Sequence, residues 1–143
     1  MLPEFLYHVT AKSNIPSIRN EGLRAGAYLS ALDNLTHYYA ETIKDEGQTP
    51  VTLKIATKDL DPTALEPDYH GIEEPILTVV RSHLGMGYNC DEDWIYGKWM
   101  ESEQDFESSL ALIGSVRYAS AISVESLNLG LRNTRNSDIE PSR

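Results

Sequence analysis

The order of segments in the first 56 residues is the feature that most restricts how this chain can fold. Three short segments, 5–10, 27–30 and 51–56, are rich in aromatic and β-branched residues and have the composition of β-strands. Apolar residues at helical spacing fill the two intervals, and Gly22 and Gly47 stand where each helix should end. Strands this short are stable only in a shared sheet, so we expect one sheet with helices packed against it.

Apolar spacing and turn residues also predict the middle of the chain. Helices are expected over 14–21, 31–46 and 74–84. An acidic loop with two prolines is expected over 59–68. For residues 85–107, which are rich in glycine, acidic residues and large aromatics, we predict an irregular loop anchored on the core.

The last third of the chain is expected to form strands. Strands are predicted over 109–113 and 116–122, with a further short piece at 127–131. Helices early in the chain and strands late predict an α+β domain with a mostly antiparallel sheet. This single domain should span 1–131, and the polar segment 132–143, which has no apolar periodicity, should be a frayed tail.

Charge and cysteine content exclude several classes of protein. The formal net charge of −10 disfavours binding to nucleic acid, because an acidic surface repels phosphate groups. Cys90 is the only cysteine, so the chain has neither an internal disulfide nor a cysteine-based zinc site. An unpaired thiol, no signal-peptide pattern and no long apolar run predict a soluble cytoplasmic protein that does not contact a membrane.

Chemically useful side chains collect at the ends of two predicted strands. His8 and Thr10 lie two residues apart and therefore share one face of the first strand, and Tyr28 and Ser30 do the same on the second. Tyr39 follows on the next predicted helix. Together these residues offer an imidazole, hydroxyl groups and two aromatic rings for a binding site.

These residues belong to an ordered set that resembles the ADP-ribosyltransferase-like superfamily, and in particular its branch with a His, Tyr, acidic-residue pattern. That branch includes small rifamycin-modifying transferases and compact toxin-like and phage proteins. The similarity extends loosely over residues 5–125. The stretches that carry it are Leu6-Tyr7-His8-Val9-Thr10, Glu21-Gly22-Leu23, Tyr28-Leu29-Ser30, Tyr39-Ala40, Leu65-Glu66-Pro67-Asp68 and the strand–glycine–strand-like segment 108–116.

The resemblance implies a split, mostly antiparallel sheet that binds NAD as a substrate in the cleft between its halves. His8 would hydrogen-bond the nicotinamide ribose with support from Thr10, and Ser30 would belong to the same site. Tyr28 and Tyr39 would sandwich the flat, cationic nicotinamide ring, which suits aromatic faces. The implied activity is glycosyl transfer of ADP-ribose to a protein or small-molecule acceptor.

Such a transfer requires a carboxylate. Cleavage of the nicotinamide–ribose bond develops positive charge on the ribose, and a nearby carboxylate stabilises that charge or activates the nucleophile. By the resemblance Asp68 is the first candidate for this catalytic role, Glu107 the second and Glu125 the third. The four histidines have no metal-ligand spacing, so no metal site is predicted.

Two departures from the family pattern and several simpler interpretations compete with this hypothesis. Val9 stands where members commonly have glycine, and no Gln-x-Glu or Glu-x-Glu occurs on a late strand. His8 and Thr10 are also compatible with ordinary strand positions, and the two tyrosines with simple packing. Ser30 is also a suitable helix cap, and Asp68 a suitable solvated turn residue.

A second function therefore stays open. The chain is also compatible with a non-catalytic acidic binding protein on the same fold, for example a phage-encoded inhibitor of a host nucleic-acid-binding complex. Its net charge of −10 would favour docking on a basic surface. A transferase could use the same charge to reach a basic acceptor.

Overall fold

One antiparallel sheet forms the framework of the protein in the computed structural model, which describes residues 2–128. Its strands are β1 Phe5–Ala11, β2 Ala27–Ser30, β3 Pro50–Ala56, β4 Leu65–Pro67, β5 Ser115–Tyr118 and β6 Leu127–Asn128. The strand order is β4-β5-β2-β1-β3-β6, and each pair of neighbours is antiparallel. The predicted α+β class and the antiparallel sheet are therefore confirmed.

Helices fill the connections. They are α1 Ile15–Glu21, α2 Asp33–Asp45, α3 Tyr69–Glu73, α4 Leu77–Leu84, α5 Glu92–Glu101 and α6 Phe106–Ile113. The predicted helices over 14–21 and 31–46 are confirmed as α1 and α2. The helix predicted over 74–84 begins only at Leu77, because Glu74 precedes Pro75 and adopts a non-helical conformation there (φ −130°, ψ 69°).

The prediction of a late strand over 109–113 is wrong, since these residues belong to α6. Asp105 caps this helix by accepting a hydrogen bond from the Ser108 N–H at 2.8 Å, and Gly114 ends it in a left-handed conformation. The prediction of an irregular loop over 85–107 is also wrong in part, because this segment contains α5. Asp91 caps α5 in the same way as Asp105 caps α6.

The remaining predicted elements are found with shifted or shorter bounds in the structure. The strand expected over 116–122 is β5, which ends at Tyr118, and Ile122 forms only an isolated bridge with Leu23. The acidic loop expected over 59–68 contains the short strand β4. Of the piece expected at 127–131, Leu127–Asn128 forms β6. The rest of it and the predicted tail 132–143 lie outside the described residues.

Two apolar clusters form the core of the protein. The larger cluster includes Leu6, Leu29, Leu53 and Val116 from the strands, and the smaller joins helices α3 to α6 around Trp99. Helix α2 packs on β1 and β3, whereas α6 packs on β4 and β5. A cleft opens at the middle of the sheet, where β1 meets β2. None of the helices in residues 2–128 has the length and apolar character needed to span a membrane.

Candidate functional site

The cleft begins where the ladder between β1 and β2 ends. These strands pair only at Tyr7 and Ser30, in contrast to the seven paired positions between β1 and β3. Beyond that pair the Tyr28 carbonyl accepts a hydrogen bond from a side chain, the His8 imidazole, with Nδ1 at 2.8 Å from the oxygen. Beyond the Tyr7–Ser30 pair, the His8 side chain thus joins β1 to β2 where the two backbones are not paired.

This hydrogen bond fixes the chemical state of His8. A carbonyl oxygen only accepts, so Nδ1 must carry the proton, and in the neutral ring Nε2 is then an acceptor. Burial lowers the pKa of His8 below its ordinary value of 6.5, against the opposing effect of the bond to Tyr28. At neutral pH the ring is therefore uncharged and offers one acceptor nitrogen to a hydroxyl or amide donor.

The register of the sheet brings the other predicted residues to the same place. Ser30 is paired with Tyr7 on one side and with Ser115 on the other, so these three residues form a row across the sheet. Strand β4 joins β5 with Pro67 opposite Val116, and Asp68 follows directly after it. The resulting cleft has a volume of about 310 Å³, and its walls include His8, Tyr28, Ser30, Tyr39, Asp68 and Ser115.

The two tyrosines supply aromatic walls. Tyr28 comes from β2 and is 44% exposed, while Tyr39 comes from α2 and is half-buried. Burial, followed by the negative charge of Asp68, raises the pKa of Tyr39 to about 12. Its hydroxyl group consequently keeps its proton at neutral pH and can donate a hydrogen bond.

Asp68 is a buried carboxylate with fixed hydrogen-bond donors. Its exposed fraction is only 4%, so the interpretation as a solvated turn residue is wrong. Oδ1 accepts from the Gly71 N–H at 2.9 Å and caps α3, and Oδ2 accepts from the Ser115 hydroxyl at 2.6 Å. This arrangement holds the negative charge in one position in the wall of the cleft.

Three residues that the sequence does not indicate as site residues, Gly71, Ser109 and Ser115, hold Asp68 in place. Ser109 Oγ accepts from the Asp68 N–H at 3.0 Å and donates to the Ser115 carbonyl at 2.7 Å. A Cβ atom at Gly71 would lie 2.6 Å from Asp68 Oδ2, so only glycine fits there without displacement. The Asp-x-x-Gly spacing was a usable capping signal, but the contact between Asp68 and Ser115 spans 47 positions and leaves no local pattern.

The simpler interpretation of Ser30 as a helix cap is also wrong. Helix α2 begins at Asp33, and its N-cap residue is Leu32, which makes no side-chain capping bond. Ser30 is buried and lines the cleft instead.

The structure separates the other predicted site residues from this cleft. Thr10 is buried and accepts a hydrogen bond from Asn14 Nδ2 at 2.9 Å. It lines a neighbouring hollow of about 390 Å³, which also includes His8. Glu107 is exposed in the first turn of α6, and Glu125 is exposed in a short 3₁₀ turn; neither lines the cleft.

Comparison with family models gives no match to this sequence, and comparison with curated proteins gives none either. The chemistry of the cleft must therefore be inferred from its own residues. Within residues 2–128, no group of three or more His, Cys, Asp or Glu side chains is arranged to hold a metal ion.

Proposed function

We propose that the chain binds NAD in this cleft and transfers its ADP-ribose group to an acceptor. The observation that carries the proposal is the convergence of five residues expected to form an NAD site. His8, Tyr28, Ser30, Tyr39 and Asp68 come from β1, β2, α2 and the segment after β4, and all of them line one cleft. Because these residues are far apart in sequence, local packing alone does not explain why all five line one cleft.

The residues of the cleft fit the nicotinamide end of NAD. The His8 Nε2 acceptor suits a ribose hydroxyl, and the two tyrosine rings suit a flat cationic ring beside a carboxylate. A cleft of about 310 Å³ is at the small end of the range for ligand sites and is too small for the whole dinucleotide. The adjoining hollow that contains Thr10 would receive the remainder, with His8 between the two parts.

Asp68 would supply the electrostatic part of the catalysis. Breaking the nicotinamide–ribose bond places positive charge on the ribose, and a fixed negative charge in a partly desolvated wall stabilises it. Gly71 and Ser115 hold the carboxylate through neutral donors, so its charge is oriented without being paired by them. On this proposal Asp68, and not the exposed Glu107 or Glu125, is the catalytic carboxylate.

Two observations favour the alternative, a non-catalytic binding protein on this fold. Both oxygens of Asp68 have structural partners, so helix capping and the bond to Ser115 explain its burial without any reaction. Val9, which lines the cleft beside His8, also has a side chain where the family pattern commonly has glycine. In that case the net charge of −10 would serve docking on a basic partner.

Calorimetric titration with NAD, combined with chromatographic measurement of nicotinamide release, tests the proposal. We expect wild-type protein to bind NAD and to release nicotinamide, and His8→Ala to lose at least tenfold in NAD affinity. His37→Ala is the matched control, because His37 is exposed on α2 and does not line the cleft. Binding without nicotinamide release, even with cell extract as an acceptor source, would support the non-catalytic alternative. Absence of NAD binding would refute the proposal.

A further inference from the structure

Helix α5 carries more apolar surface than the core uses. Ile95 and Trp99 are buried and join the helix to the smaller apolar cluster. Tyr96 and Met100 lie four residues apart on an adjoining side of the helix, and they are 50% and 52% exposed. Large apolar side chains that face water together, at helical spacing, indicate a surface that another molecule covers.

Tyr69 extends this surface onto α3. Its ring contacts the ring of Trp99 edge to face, with 6.1 Å between the centroids, and the residue is still 56% exposed. We call the three exposed side chains Tyr69, Tyr96 and Met100 the α5 face. Tyrosine and methionine are enriched at protein interfaces, so the composition of the α5 face suits a protein partner.

The chain after α5 fixes one end of the α5 face. Gln104 has a φ of 57°, and among residues 2–128 it is the non-glycine residue with a positive φ. In this costly conformation its side-chain amide turns back to Met100, with Nε2 3.5 Å from the carbonyl oxygen and 3.9 Å from Sδ. This contact restrains Met100 at the surface before a partner binds, which lowers the ordering cost of binding.

The segment that carries most of the α5 face is strongly acidic. Residues 91–107 contain seven of the 22 acidic residues of the chain, and Lys98 is the only Lys or Arg in this segment. Glu92 lies one helical turn before Tyr96, Asp93 follows it, and both carboxylates are exposed. Two copies of the chain joined through the α5 face would bring these like charges together, which disfavours self-association. The charge is complementary to a basic partner.

Helix α5 itself shows how a cation binds beside such groups. On another side of the helix, Lys98 Nζ lies 5.6 Å from the centre of the Trp94 ring and 3.6 Å from Glu101 Oε1. An aromatic ring and a carboxylate thus hold this cation together. Tyr96 and Glu92 offer the same two groups at the α5 face. Arginine suits them better than lysine, because a guanidinium group stacks on a ring and donates two parallel hydrogen bonds to a carboxylate.

We propose that the α5 face is the docking surface for an arginine-rich segment of a partner protein. Guanidinium groups stack on Tyr69 and Tyr96, the aliphatic parts of the arginines pack on Met100, and Glu92 and Asp93 compensate their charge. Docking requires neither NAD nor the cleft. It is therefore independent of the proposed function and is tested without NAD.

Octa-arginine and octa-lysine peptides are the probes, because they carry the same charge and differ in their ability to stack. Fluorescence anisotropy of the labelled peptides measures affinity, and amide chemical shifts from nuclear magnetic resonance locate the binding surface. We expect octa-arginine to bind about fivefold more tightly than octa-lysine and to shift the Tyr96 and Met100 signals. Equal affinities, or shifts that leave out these two residues, would overturn the proposal.

The double variant Tyr96→Ser, Met100→Ser removes apolar surface and keeps every charge. It should weaken octa-arginine binding about tenfold and abolish the preference over octa-lysine. Tyr38→Ser is the matched control, because Tyr38 is 42% exposed on α2, and it should bind both peptides as wild type does. Wild-type affinity in the double variant would overturn the role of the α5 face.

A second pair of variants separates local charge from overall charge. Glu92→Gln, Asp93→Asn should weaken octa-arginine binding about fivefold, because it removes the carboxylates next to Tyr96. Asp45→Asn, Glu46→Gln removes the same charge at the exposed end of α2 and should weaken binding by less than about twofold. Equal effects of the two double variants would show that only the overall charge matters and would contradict the docking surface.

Discussion

Replacing Asp68 by asparagine should separate catalysis from folding. The amide oxygen of the new side chain keeps the capping bond to the Gly71 N–H, and its NH₂ group can donate to Ser115 Oγ in place of the present bond. The side chain keeps its shape and loses its charge. We expect nicotinamide release to fall by two to three orders of magnitude, the usual effect of removing one preorganised electrostatic group (about 3–4 kcal/mol).

The stability effects follow from the same contacts. Asp68→Ala removes a helix cap, worth about 1 kcal/mol, and leaves the buried Ser115 hydroxyl without its acceptor, which costs about 2 kcal/mol more. Asp68→Asn retains both bonds in neutral form and should lower the free energy of unfolding by only about 1 kcal/mol. Urea denaturation should therefore place the asparagine variant between wild type and the alanine variant.

Asp105→Asn is the matched control. Asp105 Oδ1 caps α6 by accepting from the N–H and the hydroxyl of Ser108, both at 2.8 Å. Like Asp68 it therefore accepts from one N–H and one hydroxyl, but it does so outside the cleft. Asp105→Asn should change the free energy of unfolding by about as much as Asp68→Asn does and leave nicotinamide release unchanged. Glu107→Ala should also have a mild effect on the reaction. The reasoning is refuted if Asp68→Asn releases nicotinamide at the wild-type rate, and an inactive Glu107→Ala would move the catalytic role to Glu107.

The remaining predictions concern two pKa values and two glycines. Because burial lowers the pKa of His8, the stability that neutral His8 contributes is present above pH 6.5 and is lost as the pH falls through the folded-state pKa. Urea denaturation at decreasing pH should show this loss in wild type and not in His8→Asn. Because the pKa of Tyr39 is about 12, its deprotonation should lower the stability of the fold only as the pH rises from 10 towards 12. Tyr39→Phe should abolish this loss. Tyrosinate absorbance follows the titration. Gly71→Ala should lower the free energy of unfolding by about 1–3 kcal/mol, since its Cβ would lie 2.8 Å from Ile113 Cδ1. Gly97→Ala in α5 has open space around it and should raise the free energy of unfolding by about 0.5–1 kcal/mol. Thermal unfolding of the two variants tests both expectations.

The parts of the fold predicted correctly have a local cause. Strand composition and helical spacing locate β1, β2, β3, α1 and α2, because each pattern is complete within a few residues. The sequence of segment 109–113 does not by itself distinguish a strand from a helix. Its Ser-Leu-Ala-Leu-Ile sequence suits a buried strand or a buried helix, and the capping residue Asp105 together with Gly114 decides for the helix.

The candidate site was only partly predictable for a similar reason. His8, Tyr28 and Tyr39 stand at recognisable positions in strands and a helix, and the resemblance supplied Asp68. Ser115 is brought to Asp68 only by the register between β4 and β5, which a single sequence does not contain. His70 lies two residues after Asp68, but its place in the wall of the cleft follows from the packing of α3.

The structural role of Asp68 and the proposed catalytic role do not compete. A carboxylate has about four acceptor positions, and Gly71 and Ser115 occupy one on each oxygen, which leaves others for a ligand in the cleft. Both of these donors are neutral, so neither cancels the charge that would act on the ribose. Donors that fix a charge before the substrate arrives lower the cost of reorganisation during the reaction. The capping bond therefore orients the carboxylate for catalysis, and the asparagine variant, which keeps that bond and removes the charge, is the comparison that measures what the charge alone contributes.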